Sequence, residues 1–276
     1  MEKRVEGNYP KAIIVHKEWG ETPLQCLNFV RLQFQIPVSV PMTYAGRLDP
    51  LATGALIILI GDECKNKNEY LNFTKEYHAQ FAAGISTDTG DIFGLITKNE
   101  IGGVLADKNF VFELDSIKKF SEQCLALKEQ QYPLFSSKKV QGKQLFEHGI
   151  AGNDIERPLR EVKIYTCSAQ QSAPIFVESI FEKVKQASAM LGEGFRGKEI
   201  EDSWHNNIKN VPAATDQGIL PTLELNCTVS SGTYIRGFAE VLQAVFEIPF
   251  VMTQLHRSHI GTFECPPLPH GTFVIR

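Results

Sequence analysis

The chain has 276 residues, 43% of them hydrophobic and 22% charged, proportions that exclude collagen, coiled coil and intrinsic disorder. At this length a sizeable core can be buried, in one large domain or two small ones. Lys plus Arg is 28 and Asp plus Glu is 32, a net charge of −4, so the chain is not a generally basic nucleic-acid coat and any RNA binding must rest on a local basic face.

Taken in chain order, Lys11 to Val15 is a short apolar run that predicts a strand. Thr22-Pro23 reads as an N-cap with Pro at the first helical position, opening a helix with Leu24, Leu27 and Val30 inward. Gly54 to Gly61 is apolar on both faces and predicts a buried strand. Tyr77, Ala79, Phe81 and Ala83 alternate with His78, Gln80 and Ala82, which fits a strand with one mostly apolar face. Asp115 or Ser116 is a candidate cap for a helix carrying Ile117, Phe120 and Cys124. Between about 178 and 210 lies a helical block, with Ile180, Phe181, Val184, Ala187 and Leu191 on one face and Gly192 as the stop. Leu223, Leu225, Cys227 and Val229 alternate cleanly in a half-buried strand; after Gly232, Ile235, Phe238, Ala239 and Leu242 form the buried stripe of a helix. Strands and helices do not alternate regularly, so the expected class is α+β rather than a parallel doubly wound sheet.

The longest plain apolar run, Ala55 to Ile60, falls far short of the ~20 residues that cross a bilayer. The opening Met1-Glu2-Lys3-Arg4 leads into polar sequence, so a soluble, cytoplasmic protein with no membrane partner is expected. The six cysteines, Cys26, Cys64, Cys124, Cys167, Cys227 and Cys265, contain no Cys-x-x-Cys pair, and the histidines show no metal spacing. They read as reduced thiols, and no metal site is expected.

The most informative stretch runs Tyr44-Ala45-Gly46-Arg47-Leu48-Asp49-Pro50-Leu51-Ala52-Thr53-Gly54. It is a loop, with Gly46 and Gly54 permitting tight backbone and Pro50 stiffening the position of Asp49. Two readings of Asp49 stand: a helix cap with Pro50 at the first helical position, or a carboxylate in apolar surroundings that needs a cationic partner or a proton.

Gly46 to Gly54 resembles the catalytic-aspartate motif of the TruB-type tRNA pseudouridine synthases, and four further blocks match in order. Lys75-Glu76-Tyr77 is similar to that family's Lys-x-Tyr strand, and Thr87-Asp88-Thr89-Gly90-Asp91 to its Thr-Asp-Thr-x-Asp turn. Pro133 to Glu147, with Ser136, Lys139, Gly142-Lys143 and Leu145, resembles the Pro-x-Tyr-Ser-Ala-x-Lys segment. Gly232-Thr233-Tyr234-Ile235-Arg236 resembles Gly-Thr-Tyr-Ile-Arg, and Leu255-His256-Arg257 to Phe263 the closing segment.

The resemblance implies a pseudouridine-synthase fold, with a mixed, mostly antiparallel central sheet flanked by helices and loops. It implies a single catalytic domain over 1–276, with 178–220 as a helical insertion. The activity implied is isomerisation of uridine 55 in the tRNA T loop, with no cofactor and no metal. The base must leave the stack to react. Asp49 is implied as the essential carboxylate and Arg236 as the guanidinium that pairs with it and keeps it ionised despite burial. Tyr77 is implied to stack on the flipped uracil and to help the late loss of the C5 proton. Without the motif, Arg236 reads equally as a surface ion pair at a helix start, and Tyr77 as a core tyrosine. Asp88 and Asp91 read as holders of a turn. For RNA contact the candidates are Tyr44, Arg47, Lys138, Lys139 and Lys143, with a second, more mixed group at Arg157, Arg160 and Lys163.

Three departures from the family pattern stand out. Tyr44 occupies the place of a His that stacks in the T loop. The family's usual C-terminal RNA-binding domain, of PUA type, is expected to be missing. The stretch 178–220 matches nothing in the pattern and is either a replacement for that domain's contacts or decoration. The expected partner is the T arm of tRNA and the expected state a monomer. The alternative of a different class is a non-catalytic RNA-binding or tRNA-folding protein on the same scaffold. A glycosidase-like hydrolase would need a second catalytic acid in a comparable loop, and none is present.

Overall fold

The computed structural model describes residues 9–106, 110–191, 196–209, 211, 218–267 and 270–275. The chain forms two compact units. The first holds residues 1–77, 230–232 and 255–276; the second holds residues 78–229 and 233–254.

The first unit starts with β1 (Ala12–Lys17), followed by α1 (Pro23–Gln33), β2 (Met42–Ala45), β3 (Ala52–Ile60) and the short α2 (Lys67–Leu71). Thr22 caps α1 as its sequence predicts. Its hydroxyl accepts from the Gln25 amide while the Gln25 side chain accepts from the Thr22 amide, and Pro23 enters at the first turn. The expected inward set needs one correction: Cys26, Leu27 and Val30 are buried, whereas Leu24 is 58% exposed. Leu24 lies in the first turn, at the margin of a stripe centred on Cys26, Leu27 and Val30.

β1 and β3 pair antiparallel from Ala12↔Leu59 to Lys17↔Gly54. Their alternate residues feed two separate cores, which is why Ala55 to Ile60 is apolar at every position. Ile13, Val15, Leu56, Ile58 and Ile60 pack with Cys26, Leu27 and Val30 on one face; Ala12, Ile14, Ala55, Ile57 and Leu59 pack with Ala45, Ile260 and Cys265 on the other.

β4 (Lys75–Ala83) passes from the first unit into the second and alternates as expected, with Lys75, Tyr77, Ala79 and Phe81 buried. β5 (Ile85–Thr87), β6 (Ile96–Asn99), α3 (Ile101–Ala106) and α4 (Leu114–Ala126) follow. Helix α4 begins before the expected caps: its N-cap is Glu113, which makes no side-chain capping bond, while Ile117, Phe120 and Cys124 are buried as read. Packing of that apolar stripe supplies what the missing cap does not.

Next come β7 (Glu129–Gln131), β8 (Lys139–Val140), β9 (Lys143–Gln144), α5 (Leu145–Ile150), β10 (Leu159–Glu161) and the long β11 (Ile164–Phe176). The helical block resolves into α6 (Val177–Leu191) and α7 (Gly197–Ile208); the expected stop at Gly192 lies outside the described residues. β12 (Ile219–Val229) pairs antiparallel with β11 through Cys167↔Cys227 and Ala169↔Leu225. A 3-10 turn, Ile235–Gly237, then leads into α8 (Phe238–Phe246), whose Phe238, Ala239, Leu242 and Val245 are buried.

β13 (Phe250–Ile260) runs back into the first unit, which closes with β14 (Phe263–Glu264) and β15 (Thr272–Ile275). In the first unit β15, β2 and β14 pair antiparallel with β1, β3 and β13, while β13 and β3 run parallel from Leu255↔Ala52 to Arg257↔Gly54. In the second unit the strand order is β11-β12-β4-β13. The class is thus mixed helix and sheet with a mostly antiparallel central sheet, as the sequence suggests. Among the described residues no helix is long and apolar enough to cross a membrane, and no three or more His, Cys, Asp or Glu are placed to hold a metal ion.

Candidate active site

The loop from Tyr44 to Gly54 joins β2 to β3, and its backbone is held by two buried cations. Arg257, on β13, is 1% exposed. Its Nη2 donates to the Gly46 carbonyl at 2.9 Å, its Nε to Ala55 O at 2.7 Å, and its Nη1 to Arg47 O and to the Tyr77 hydroxyl, each at 3.4 Å. Lys17, at the end of β1, is fully buried and donates to Pro50 O at 3.0 Å, Ala52 O at 2.6 Å and Glu18 O at 2.8 Å. Burial pulls the Lys17 ammonium down to about 8; Cys26, Glu21 and Asp49 work against that pull and Arg257 adds to it.

The glycines make this cradle possible. Gly46 has φ +75° and Gly54 φ +109°, and a Cβ on Gly54 would stand 2.3 Å from the Arg257 carbonyl oxygen. Any side chain at position 54 would push the parallel β3–β13 pair apart.

Asp49 occupies a tight turn closed by the Ala52 amide on the Asp49 carbonyl at 3.0 Å, with Pro50 at the second position. No helix follows, so the capping reading of Asp49 is overturned: the turn runs directly into β3. The expected burial of the carboxylate is also overturned. Leu48 is buried at 5% exposure, whereas Asp49 is exposed. Leu48 anchors the loop in the apolar interior, and its neighbour is left on the outside.

Tyr77 is buried and shares its face of β4 with Lys75, as the spacing predicts. Lys75 Nζ donates to Leu71 O and Phe73 O, each at 2.6 Å. Tyr44 is half-buried against the α1 core, with the Lys67 ammonium 5.6 Å from its ring centre. The exposed Arg47 donates to the Tyr44 hydroxyl at 3.4 Å.

Arg236 and the lysine group belong to the second unit. Arg236 is buried; its Nη1 meets Asp91 Oδ2 at 3.3 Å and its Nη2 donates to Phe135 O at 2.7 Å. Asp91 closes the Thr87–Asp91 turn, its Oδ1 accepting from Thr89 Oγ1 and from the Phe93 amide, each at 2.9 Å. It therefore holds the turn, as expected, and in addition pairs with Arg236. Gly90 must be glycine, because its φ is +80° and a Cβ would stand 2.8 Å from Arg236 O. The Gln130 side chain fixes the Arg236 segment by bonding both Tyr234 N and Tyr234 O at 2.8 Å.

Lys138, Lys139 and Lys143 are all exposed on or beside the β8–β9 hairpin. Its two turn residues, Gln141 (φ +50°) and Gly142 (φ +82°), take the left-handed pair of angles that suits a two-residue hairpin. His148 ties the hairpin to α5, its Nε2–H donating to Val140 O at 3.1 Å. Arg157 and Arg160, by contrast, are engaged structurally with Gln131 and Tyr132, Arg157 Nη2 meeting Gln131 Oε1 at 2.6 Å and Arg160 Nη1 the Tyr132 hydroxyl at 3.1 Å.

Sequence reading placed Tyr44, Arg47 and Asp49 in one loop and Tyr77 on a strand, and the first unit holds all four. It passed over Lys17 and Arg257, the cations that shape that loop. The available signal was a basic residue at the inward register of an apolar strand: Lys17 ends Ile13-Ile14-Val15-His16-Lys17, and Arg257 stands within the matched closing segment.

The exposed Asp49, on a loop whose backbone is held by Lys17 and Arg257, is the candidate site of this mixed helix-and-sheet scaffold. Comparison with known proteins identifies the family. The profile described as TruB family pseudouridylate synthase (N terminal domain) matches residues 39–185, just over half the chain, and the chain belongs to that family. It is 28% identical over 254 residues to tRNA pseudouridine synthase B of Psychrobacter arcticus, covering 91% of this chain and 53% of that protein. It is 32% identical over 252 residues to tRNA pseudouridine synthase B of Caldicellulosiruptor saccharolyticus, covering 91% of this chain and 68% of that protein. The chain thus spans about half to two thirds of the length of these relatives. Among solved structures, one chain in the crystal structure of a Cbf5-Nop10-Gar1 complex superposes with a TM-score of 0.52 at 14% identity, covering 95% of this chain and 56% of that one, a likeness of fold.

Proposed function

We propose that this chain isomerises the position-55 uridine of the tRNA T loop to pseudouridine, with Asp49 as the essential carboxylate. The observation that carries the reading is the loop itself: an exposed carboxylate whose backbone is pinned by Arg257 at Gly46 O, Arg47 O and Ala55 O and by Lys17 at Pro50 O and Ala52 O. The reaction breaks the bond between uracil N1 and the ribose, turns the base and rejoins it through C5, so the carboxylate must be held in place while the base moves. A misplacement of about 1 Å in such a group can cost roughly 100-fold in rate. An exposed Asp49 suits a substrate that delivers its nucleotide by flipping it out of an RNA loop.

Tyr77 is the stacking partner of the flipped base, and its hydroxyl is oriented by Arg257. Arg236 is the catalytic guanidinium, as the family resemblance implies. The exposed Lys138, Lys139 and Lys143 neutralise tRNA phosphates, which reconciles RNA binding with a net charge of −4. Tyr44 and Arg47 extend the contact with the T loop.

The test is carbodiimide labelling and primer extension on an unmodified tRNA transcript incubated with the wild type or with Asp49→Asn. A stop at the T-loop uridine with the wild type alone is the expected result. No stop, alongside measurable tRNA binding, would replace this reading with that of a non-catalytic RNA-binding protein.

A further inference from the structure

The matched span 39–185 ends within α6, and α7 lies wholly beyond it, yet α7 is built into the second unit. Trp204 is fully buried and donates from Nε1 to Gly94 O at 3.1 Å. Ser203 Oγ accepts from the Ile96 amide at 3.1 Å, and Asn207 O accepts from the Asn99 side chain at 2.9 Å. Gly197 lies so close to α6 that a Cβ would meet Ser188 Oγ at 2.6 Å. Helix α7 therefore lies along the β5–β6 hairpin, whose connecting segment contains Asp88 and Asp91.

At the head of α7 stands Arg196, in the left-handed conformation (φ 54°, ψ 25°) that a residue with a Cβ rarely adopts. Its Nη1 meets Asp88 Oδ2 at 2.9 Å, the two side chains being 12% and 23% exposed. Its guanidinium also stacks on Phe135, 3.8 Å from the ring centre. Both contacts lead to Arg236. Asp88 shares its turn with Asp91, which pairs with Arg236 Nη1, and the carbonyl of Phe135 accepts from Arg236 Nη2. Asp88 is itself fixed in the turn, its Oδ1 accepting from the Leu95 amide at 2.8 Å. Gly94 is what lets the turn fold so tightly, since a Cβ there would stand 2.6 Å from Asp88 Oδ1.

We propose that Arg196 is a positioning residue that holds two partners of Arg236, the Asp91 turn through Asp88 and the Phe135 carbonyl through its ring. Helix α7 is then a brace for the catalytic guanidinium, which is neither of the roles, substitute RNA contact or decoration, that its sequence suggests. The inference rests on the catalytic role given to Arg236. Lysine at position 196 keeps a charge for Asp88 and loses the planar stack, so it restores part of the function only.

The experiment compares wild type, Arg196→Ala, Arg196→Lys and Phe135→Leu, with Lys198→Ala as a control on the same helix, its exposed side chain pairing along the helix with Asp202. Single-turnover pseudouridine formation at saturating enzyme is expected to fall about 10- to 100-fold in Arg196→Ala. Its tRNA dissociation constant should stay within about threefold of the wild type, because the site is braced rather than the RNA held. Arg196→Lys and Phe135→Leu should fall between, and Lys198→Ala should match the wild type. In parallel, the guanidinium Nε–Hε resonance of Arg236, assigned by its loss in Arg236→Lys, should shift or broaden in Arg196→Ala and partly return in Arg196→Lys. An active Arg196→Ala enzyme with a wild-type rate and an unmoved Arg236 resonance would overturn the inference. An inactive wild type would overturn the proposed function instead, and the resonance would still decide whether Arg196 positions Arg236.

Discussion

The two units handle buried cations in opposite ways. Around the Asp49 loop, Arg257 and Lys17 donate to main-chain oxygens of residues 46, 47, 50, 52 and 55, so their charge shapes the loop while the carboxylate it carries lies exposed. Around the Thr87–Asp91 turn, Arg236 and Arg196 meet the carboxylates of Asp91 and Asp88 directly, and both of those carboxylates also cap backbone amides of the turn. On the proposed function, the difference separates the chemical acid from the architectural ones. A carboxylate that closes its own turn and neutralises a buried guanidinium is a structural part. On that proposal, the cations that grip the backbone beside Asp49 hold its carboxylate in place for the substrate.

The sharpest way to break that comparison is to neutralise one acid from each side. Asp49→Asn is expected to abolish turnover, at least ~1,000-fold, with unfolding free energy within about 0.5 kcal/mol of wild type and tRNA binding equal or tighter. Activity within tenfold of wild type in a primer-extension time course would remove Asp49 from the chemistry. Asp91→Asn should do the reverse in stability, costing roughly 3 kcal/mol in denaturant titration, because it takes a negative charge from a buried ion pair. A change below about 1 kcal/mol would show that Asp91 is not the structural acid described above.

The loop cations offer a test by pH. Lys17 loses its proton near 8 in the folded chain and near 10.5 when unfolded. Between those values the unfolded state binds more protons, so stability contributed at this position rises with pH, by on the order of 3 kcal/mol across the window. Lys17→Met should remove that rise; parallel stability–pH curves for the two proteins between pH 7.5 and about 10 would contradict the assignment. The smallest expected effect belongs to the hairpin. Replacing Lys138, Lys139 and Lys143 together by Ala should weaken tRNA binding by about 10- to 30-fold and reduce the salt slope by about 2 to 3, leaving the single-turnover rate at saturation unchanged. An unaltered slope would place the phosphate contacts elsewhere.

Much of the scaffold was legible in the sequence because its patterns are local. The Thr22-Pro23 cap, the two-sided apolar run Ala55 to Ile60, the alternation after Tyr77 and the Phe238, Ala239, Leu242 stripe all record short-range pattern, and each element stands where that pattern puts it. The candidate site was legible only as motifs. Asp49 was found through its neighbours in sequence, yet its exposure and the turn that replaces the expected helix depend on Leu48 anchoring inward and on the Gly54–Arg257 approach, a contact spanning some two hundred positions of chain.

What the sequence by itself determined is therefore the elements with strong local periodicity, the family resemblance and the residues that form the motifs, since periodicity, caps and turn glycines act over a few residues. What only the tertiary structure decided is which charges meet. Lys17 with Pro50, Arg257 with Gly46, Asp91 with Arg236 and Arg196 with Asp88 and Phe135 are pairings across 33 to 211 positions of chain. A buried cation has no local preference for a particular oxygen. Its partner is fixed by the strand register and helix packing that carry both groups into the same low-dielectric space, where leaving either one unsatisfied would cost more than the fold can bear.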